Sequence, residues 1–201
     1  MKWQNVLIMG TVAALIIALS GCGGQGLSGG PTRGEGDIPI GRARVSRGGT
    51  PAVRIERTGG TSSGSIDANG TVWAAPLEAG DAIITLTSED PTVEAVSIPI
   101  TFGAQQRNVF DAQLVTRGVG AVVRTIAIDL IGPMPIAVGQ SYTIRVRVEG
   151  DNLNGAKPTL WVDGGVGALG SNDRLTFTAS GTGEIRAQLY GVQGSLSVDV
   201  P

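Results

Sequence analysis

Apolar and polar residues alternate with a period of two along most of the chain beyond residue 37, the pattern of strands with one buried and one solvated face. Val53 and Ile55 alternate with Arg54 and Glu56, and Ile84 and Leu86 with Thr85 and Thr87. Val96, Ile98, Ile100 and Phe102 alternate with Ser97, Pro99 and Thr101. Turn chemistry separates these runs at Thr58-Gly59-Gly60-Thr61, Asp67-Ala68-Asn69-Gly70 and Ala79-Gly80-Asp81. Pro99 cannot donate to a ladder, so its strand is expected at a sheet edge or a bulge. A short Gly-containing stretch, residues 115–121, interrupts the pattern. Beyond it Ile126, Ile128 and Leu130 face one way, and Tyr142, Ile144, Val146 and Val148 alternate with Thr143, Arg145, Arg147 and Glu149. Ile185, Ala187 and Leu189, then Leu196, Val198 and Val200, complete the series. Between residues 38 and 114 no stretch carries a convincing helical period. The expected fold is all-β, with two tandem antiparallel β-sandwiches over residues 38–116 and 120–201.

Both halves resemble known families. In the first, Pro51-Ala52-Val53-Arg54-Ile55, the turn around Asp67-Ala68-Asn69-Gly70 and the strand Ala82-Ile83-Ile84-Thr85-Leu86 occur in order, closed by Asn108-Val109-Phe110-Asp111-Ala112-Gln113-Leu114. The order resembles the carboxypeptidase regulatory-like domain, which implies a transthyretin-type sandwich with an accessory role. In the second half the carriers are Val138-Gly139-Gln140-Ser141-Tyr142, Leu160-Trp161-Val162-Asp163-Gly164-Gly165 and Phe177-Thr178-Ala179-Ser180-Gly181-Thr182. They resemble bacterial Ig-like domains of the intimin and invasin type, which implies a spacer or adhesive module without catalytic residues.

The apolar run at residues 6–19 follows Lys2 and is shorter than the roughly 20 residues a spanning helix needs. It ends in Leu19-Ser20-Gly21-Cys22, which carries the chain's single cysteine. The tetrapeptide resembles the lipobox of bacterial lipoproteins. That resemblance implies a signal peptide over residues 1–21, cleavage before Cys22 and a diacylglyceryl group on its thiol. The location implied is the cell envelope, lipid-anchored, at the outer membrane if the host has two membranes. Residues 22–37 are rich in Gly, with Ser, Pro and scattered charge, and are expected to form a flexible linker.

Composition narrows the chemistry. The 201 residues contain no histidine and one cysteine, which removes Ser-His-Asp and Cys-His arrangements and His-ligated zinc. A formal net charge of -2, with no long basic run, argues against a nucleic-acid partner. Asp67-Ala68-Asn69-Gly70 could begin a calcium loop, but Asn-Gly between β segments is the stronger hairpin signal. No metal or cofactor is expected. Glu149-Gly150-Asp151-Asn152 is expected to be a solvated loop. Paired carboxylates could hydrolyse glycosides, although every acid has a plausible surface or turn position.

Arg42, Arg44 and Arg54 belong to an early basic cluster that could face an anionic polysaccharide or lipid headgroups, or could be a solvated sheet face. Trp73 and Tyr190 could stack on sugar rings. Trp161, between Leu160 and Val162, is expected to fill the second core. The chain therefore reads as a non-catalytic envelope lipoprotein, structural, adhesive or protein-binding, whose partners are the membrane through Cys22 and an envelope protein or polysaccharide. The alternative reading is a carbohydrate-binding surface lipoprotein.

Overall fold

The alternating runs fold as strands, and cross-strand pairing sorts them into three sheets. The computed structural model describes residues 33–46, 51–57 and 60–201; Cys22 and the apolar run before it lie outside the described residues. The first eight strands are β1 (Ile38–Val45), β2 (Pro51–Arg57), β3 (Gly60–Ser63), β4 (Ser65–Ile66), β5 (Thr71–Ala74), β6 (Gly80–Ser88), β7 (Val96–Phe102) and β8 (Phe110–Leu114). After the break come β9 (Val122–Ile131), β10 (Ser141–Asp151), β11 (Thr159–Asp163), β12 (Gly167–Leu169), β13 (Arg174–Phe177), β14 (Gly181–Leu189) and β15 (Val192–Val200). No helix occurs among the described residues.

One sheet is shared by both halves of the chain. Its order is β15-β14-β11-β8-β1-β5-β4, seven strands drawn from either side of residues 115–121. The join is the antiparallel pairing of β11 with β8, in which Leu160 opposes Asp111 and Trp161 opposes Phe110. A four-stranded sheet β3-β2-β6-β7 and another, β12-β13-β10-β9, complete the molecule. Pairing is antiparallel except between β1 and β8, which run parallel. Pro99 lies in β7, the edge strand its missing amide hydrogen requires.

Side-chain direction along β11 explains how one sheet serves two cores. Successive residues of a strand point to opposite faces. Leu160 and Val162 therefore project into a cluster with Tyr142, Ile144, Phe177, Ile185 and Val198. Trp161 projects the other way, into a cluster with Ile40, Ile55, Ile84, Leu86, Ile98 and Phe110. The two smaller sheets cover opposite faces of the shared sheet, each over its own half. The expectation that Trp161 fills the second core is thus corrected: it is fully buried in the first. Period-two alternation identifies which residues share a face, but β11 is buried on both faces, so the pattern could not assign each face to a core.

Polar bonds lock the halves together. Val162 N–H donates to the Val109 carbonyl at 2.9 Å, and Leu169 N–H to that of Asn108 at 2.6 Å. Buried Gln106 accepts from Gly103 N–H at 2.9 Å and donates to the Gly167 carbonyl at 2.8 Å. Thr101 N–H, on the outer edge of β7, donates to Asp163 Oδ1 at 2.7 Å, which satisfies an amide that an edge strand otherwise exposes. Close backbone approach helps: Gly103 and Gly165 sit so near each other that a Cβ on either would lie 3.1–3.3 Å from the other's backbone.

Glu149-Gly150-Asp151 differs from the expected loop. It is the end of β10, with a register shift between Glu149 and Gly150. Asp151 there pairs with Arg124, and Thr125 donates to Glu149 Oε2 at 3.1 Å.

Candidate functional site

Because the two covering sheets lie on opposite faces, each ends in a step where the shared sheet emerges uncovered. One step is a groove of about 430 Å³. Its floor is the outer face of β1 and β8, where Arg42 opposes Asp111 and Arg44 opposes Gln113 in the parallel register. Its wall is the near side of the second sandwich: Leu160 of β11, Val146 of β10, Lys157 and Pro158 before β11, and the β12–β13 turn with Asn172 and Asp173. Asn172 and Asp173 both take positive φ, at 59° and 57°, as residues of this type do in tight hairpin turns.

The groove brings together charges that are far apart in sequence. Arg42 and Arg44 come from the early basic cluster, and Lys157 joins them from more than a hundred residues away. None of the three forms an ion pair within 4.0 Å among the described residues, unlike Arg54, whose guanidinium lies 3.1 Å from Glu56. Burial pushes the Asp111 carboxyl above the ordinary carboxylate range. The charges of Arg44 and Arg42 and a hydrogen bond from Gln113 pull it part of the way back, and Asp173 adds to the rise. Three cations thus face two carboxylates over an apolar wall, a lining that suits an anionic group carried on a hydroxyl-rich frame.

Trp73 shares this face of the shared sheet, since Thr71, two residues before it, opposes Arg42. Its ring is occupied. Arg33 lies 3.7 Å from the ring centroid, and Trp73 Nε1 donates to Asp67 Oδ2 at 3.1 Å. Asp67 Oδ1 accepts from the amides of Asn69 and Thr71, both at 2.9 Å, so its oxygens organise the β4–β5 hairpin turn. Desolvation raises the Asp67 carboxyl, but hydrogen bonds from Trp73, Thr71 and Asn69 outweigh it and hold the group below the ordinary range.

Tyr190 sits at the tip of the β14–β15 hairpin with φ of 50°. Its hydroxyl donates to the Thr116 carbonyl at 3.3 Å, and Arg117 lies 5.4 Å from its ring centroid. It is half-buried and braces the segment between the halves. Arg54 lies on β2, in the sheet on the far side of the first core. Of the candidate residues, then, Arg42 and Arg44 meet in one groove, Trp73 shares their face, and Arg54 and Tyr190 lie elsewhere.

A second step, of about 360 Å³, lies on the opposite face between β7 and β14. Two of its charges are paired, since Arg186 lies 3.3 Å from Asp163 and also 2.6 Å from Glu184, whereas Arg57 donates to the Glu78 carbonyl and Asp81 accepts from the Thr101 hydroxyl. Hydrogen bonds from Ser195 and Arg186 lower the Glu184 carboxyl against its desolvation.

Sequence reasoning did not single out Asp111, Gln113 or Lys157. Alternation with Phe110, Ala112 and Leu114 marks the first two as outward-facing. Lys157 lies in a connection and carries no such signal.

No protein-family model matches the chain, and no curated protein matches it in sequence. Solved structures are similar to it at low identity. The S-layer protein SbsC aligns over 75% of this chain at 16% identity with a TM-score of 0.33. The C-terminal 282-residue fragment of intimin, solved in complex with the intimin-binding domain of the translocated intimin receptor, aligns over 77% at 17% identity with a TM-score of 0.30. Immunoglobulin domains 1–4 of Sidekick-1 align over 82% at 14% identity with a TM-score of 0.26. The chain spans 20% of the S-layer protein, 53% of the intimin fragment and 47% of the Sidekick-1 fragment.

Proposed function

We propose that the chain is a non-catalytic lipoprotein of the bacterial cell envelope that acts as a structural, adhesive or protein-interaction module. In this reading residues 1–21 are a signal peptide, Cys22 carries the acyl anchor, residues 22–37 form the linker, and the first sandwich is of the carboxypeptidase regulatory-like class. The observation that carries it is the seven-stranded sheet common to both cores. A sheet continuous through two sandwiches makes one stiff body, and such a body holds its outer surfaces at fixed spacing for a partner or for assembly.

The acidic side chains support a non-catalytic role, because many are tied to arginine. Asp163 and Glu184 share Arg186, Asp129 pairs with Arg147, and Glu94 lies within 3.9 Å of Arg117. An anchor of two or more acyl chains holds stably where one holds marginally.

The test is expression of the full chain in a bacterial host with an alkyne-tagged fatty acid, followed by membrane fractionation and cross-linking. The expected result is label on the membrane-bound protein, loss of label and release from the membrane with Cys22→Ala, and cross-links to envelope proteins. Membrane association without Cys22-dependent label would sink the anchor, and hydrolysis of a glycan by the purified chain would sink the non-catalytic role.

A further inference from the structure

The groove at the step between the sandwiches goes beyond that reading, since it concerns a ligand and is independent of the anchor. Its cations face Asp111 and Asp173, but none of them lies within 4.0 Å of a carboxylate among the described residues. Arg42 and Arg44 are two positions apart on one strand and therefore project side by side. Lys157 approaches from the opposite wall. Planar guanidinium groups bind carboxylates through two parallel N–H···O bonds, and a lysine adds a point charge without that constraint.

The acceptors in the groove decide what else the ligand must carry. Asp111 is flanked by Arg42 on one neighbouring strand and Leu160 on the other. Asp173 faces it from the turn, and Gln113 and Asn172 add amides. These two carboxylates would repel a densely phosphorylated chain, but they accept hydrogen bonds from hydroxyls. Leu160, Val146 and Pro158 supply an apolar surface for the C–H face of a ring. The volume falls in the lower part of the range of small-molecule pockets, about 300–1,000 Å³.

We propose that this groove binds an acidic sugar residue of a polysaccharide, its carboxylate held among Arg42, Arg44 and Lys157 and its hydroxyls by Asp111 and Gln113. Binding depends on charge at the cations and on hydrogen bonding at the acceptors, so neither salt-insensitive nor purely anionic recognition satisfies it.

The test is calorimetric titration of the full chain in detergent with galacturonate and glucuronate trisaccharides, maltotriose and inorganic phosphate. At least one acidic trisaccharide is expected to bind saturably, more weakly at high salt because exposed charges are screened. Arg42→Ala, Arg44→Ala and Lys157→Ala should each weaken it about tenfold or more, a loss of about 1.4 kcal/mol apiece. Arg42→Lys should recover part of the loss, which separates a lost charge from a lost fold. Arg147→Ala, on β10 and paired with Asp129, should bind as the unmodified chain does. Failure of both acidic trisaccharides to bind, equal affinity for maltotriose or phosphate, or binding undiminished in the triple alanine variant would overturn the proposal. None of these outcomes bears on acylation at Cys22.

Discussion

Trp161 stands directly across from Phe110 in the register that joins β11 to β8, so a side chain from the second half of the sequence completes the core of the first. The shared sheet therefore couples the two cores energetically as well as geometrically. Trp161→Ala should cost about 3–5 kcal/mol, the range for emptying a buried aromatic site. Trp161 Nε1 is buried without a hydrogen-bond partner among the described residues. Trp161→Phe removes that donor along with part of the ring, so it should cost clearly less than alanine. Both variants should still unfold in one transition, with far-ultraviolet circular dichroism and tyrosine fluorescence coincident. Two resolved transitions, with only the first half affected, would contradict the coupling.

Gly41 opposes Phe110 on the other side of β8. A Cβ at Gly41 would lie 2.5 Å from the Phe110 ring, closer than real contacts allow. Gly41→Ala is expected to destabilise by about 1–3 kcal/mol through overpacking. In a Phe110→Leu background the same substitution should cost less, and a double-mutant cycle by chemical denaturation measures the difference. Strictly additive costs would show that the strain lies in the backbone of β1 and not in the ring.

Asp163 closes the seam between β7 and β11 by accepting from Thr101 N–H and pairing with Arg186. Asp163→Ala strips an edge-strand amide of its acceptor. Leaving a donor unsatisfied costs about 1–3 kcal/mol in buried sites, and the amide of Thr101, an exposed residue, should fall at the lower end. Hydrogen exchange at Thr101 should accelerate more than at Ile100, which pairs inward with Ala82. Equal acceleration along all of β7 would instead indicate loss of the whole strand.

The strands and their inward residues were legible because period two survives wherever one face is wet: Val53, Ile55, Ile84, Leu86, Ile98 and Ile100 all lie in the core that the pattern implies. The Asn69-Gly70 turn and the edge position of Pro99 followed from local backbone chemistry. What the pattern could not carry was long-range pairing. Nothing in Thr159-Leu160-Trp161-Val162 says that β8 is its neighbour, because a strand buried on both faces reads as a continuous apolar run. The groove depends on that pairing, so Arg42 and Arg44 were visible as a basic cluster while Asp111 and Lys157 were not visible as its companions.

The Asp67 carboxyl tests the hairpin that positions Trp73. Its pKa in the folded chain lies below the ordinary 3.8, so its contribution is present above that value and is lost as pH falls through the folded value. Asp67→Asn should therefore lower the denaturation midpoint at pH 7, and the gap from the unmodified chain should narrow below about pH 4. The group is half-buried at the surface of the turn, so the effect should be modest. A gap that widens in acid would mean that the hydrogen bonds do not favour the charged form.

Asp111 has the opposite sign, because burial raises its pKa above 3.8 despite Arg44 and Arg42. The folded chain then holds the proton more tightly than the unfolded chain. Its stabilising effect is complete below the unfolded value and disappears as pH rises through the folded one. Above the folded value the ionised carboxylate is disfavoured relative to its protonated form. Asp111→Asn keeps the shape and one acceptor while removing that charge, so it should unfold at higher denaturant than the unmodified chain at pH 7. At pH 3 the two should coincide. The same substitution should leave a hydroxyl acceptor in the groove but alter its charge, so the stability profile and the sugar titration report on one residue by separate routes. If Asp111→Asn instead destabilises at neutral pH, attraction to Arg42 and Arg44 outweighs desolvation, and the carboxylate serves to hold those arginines in place.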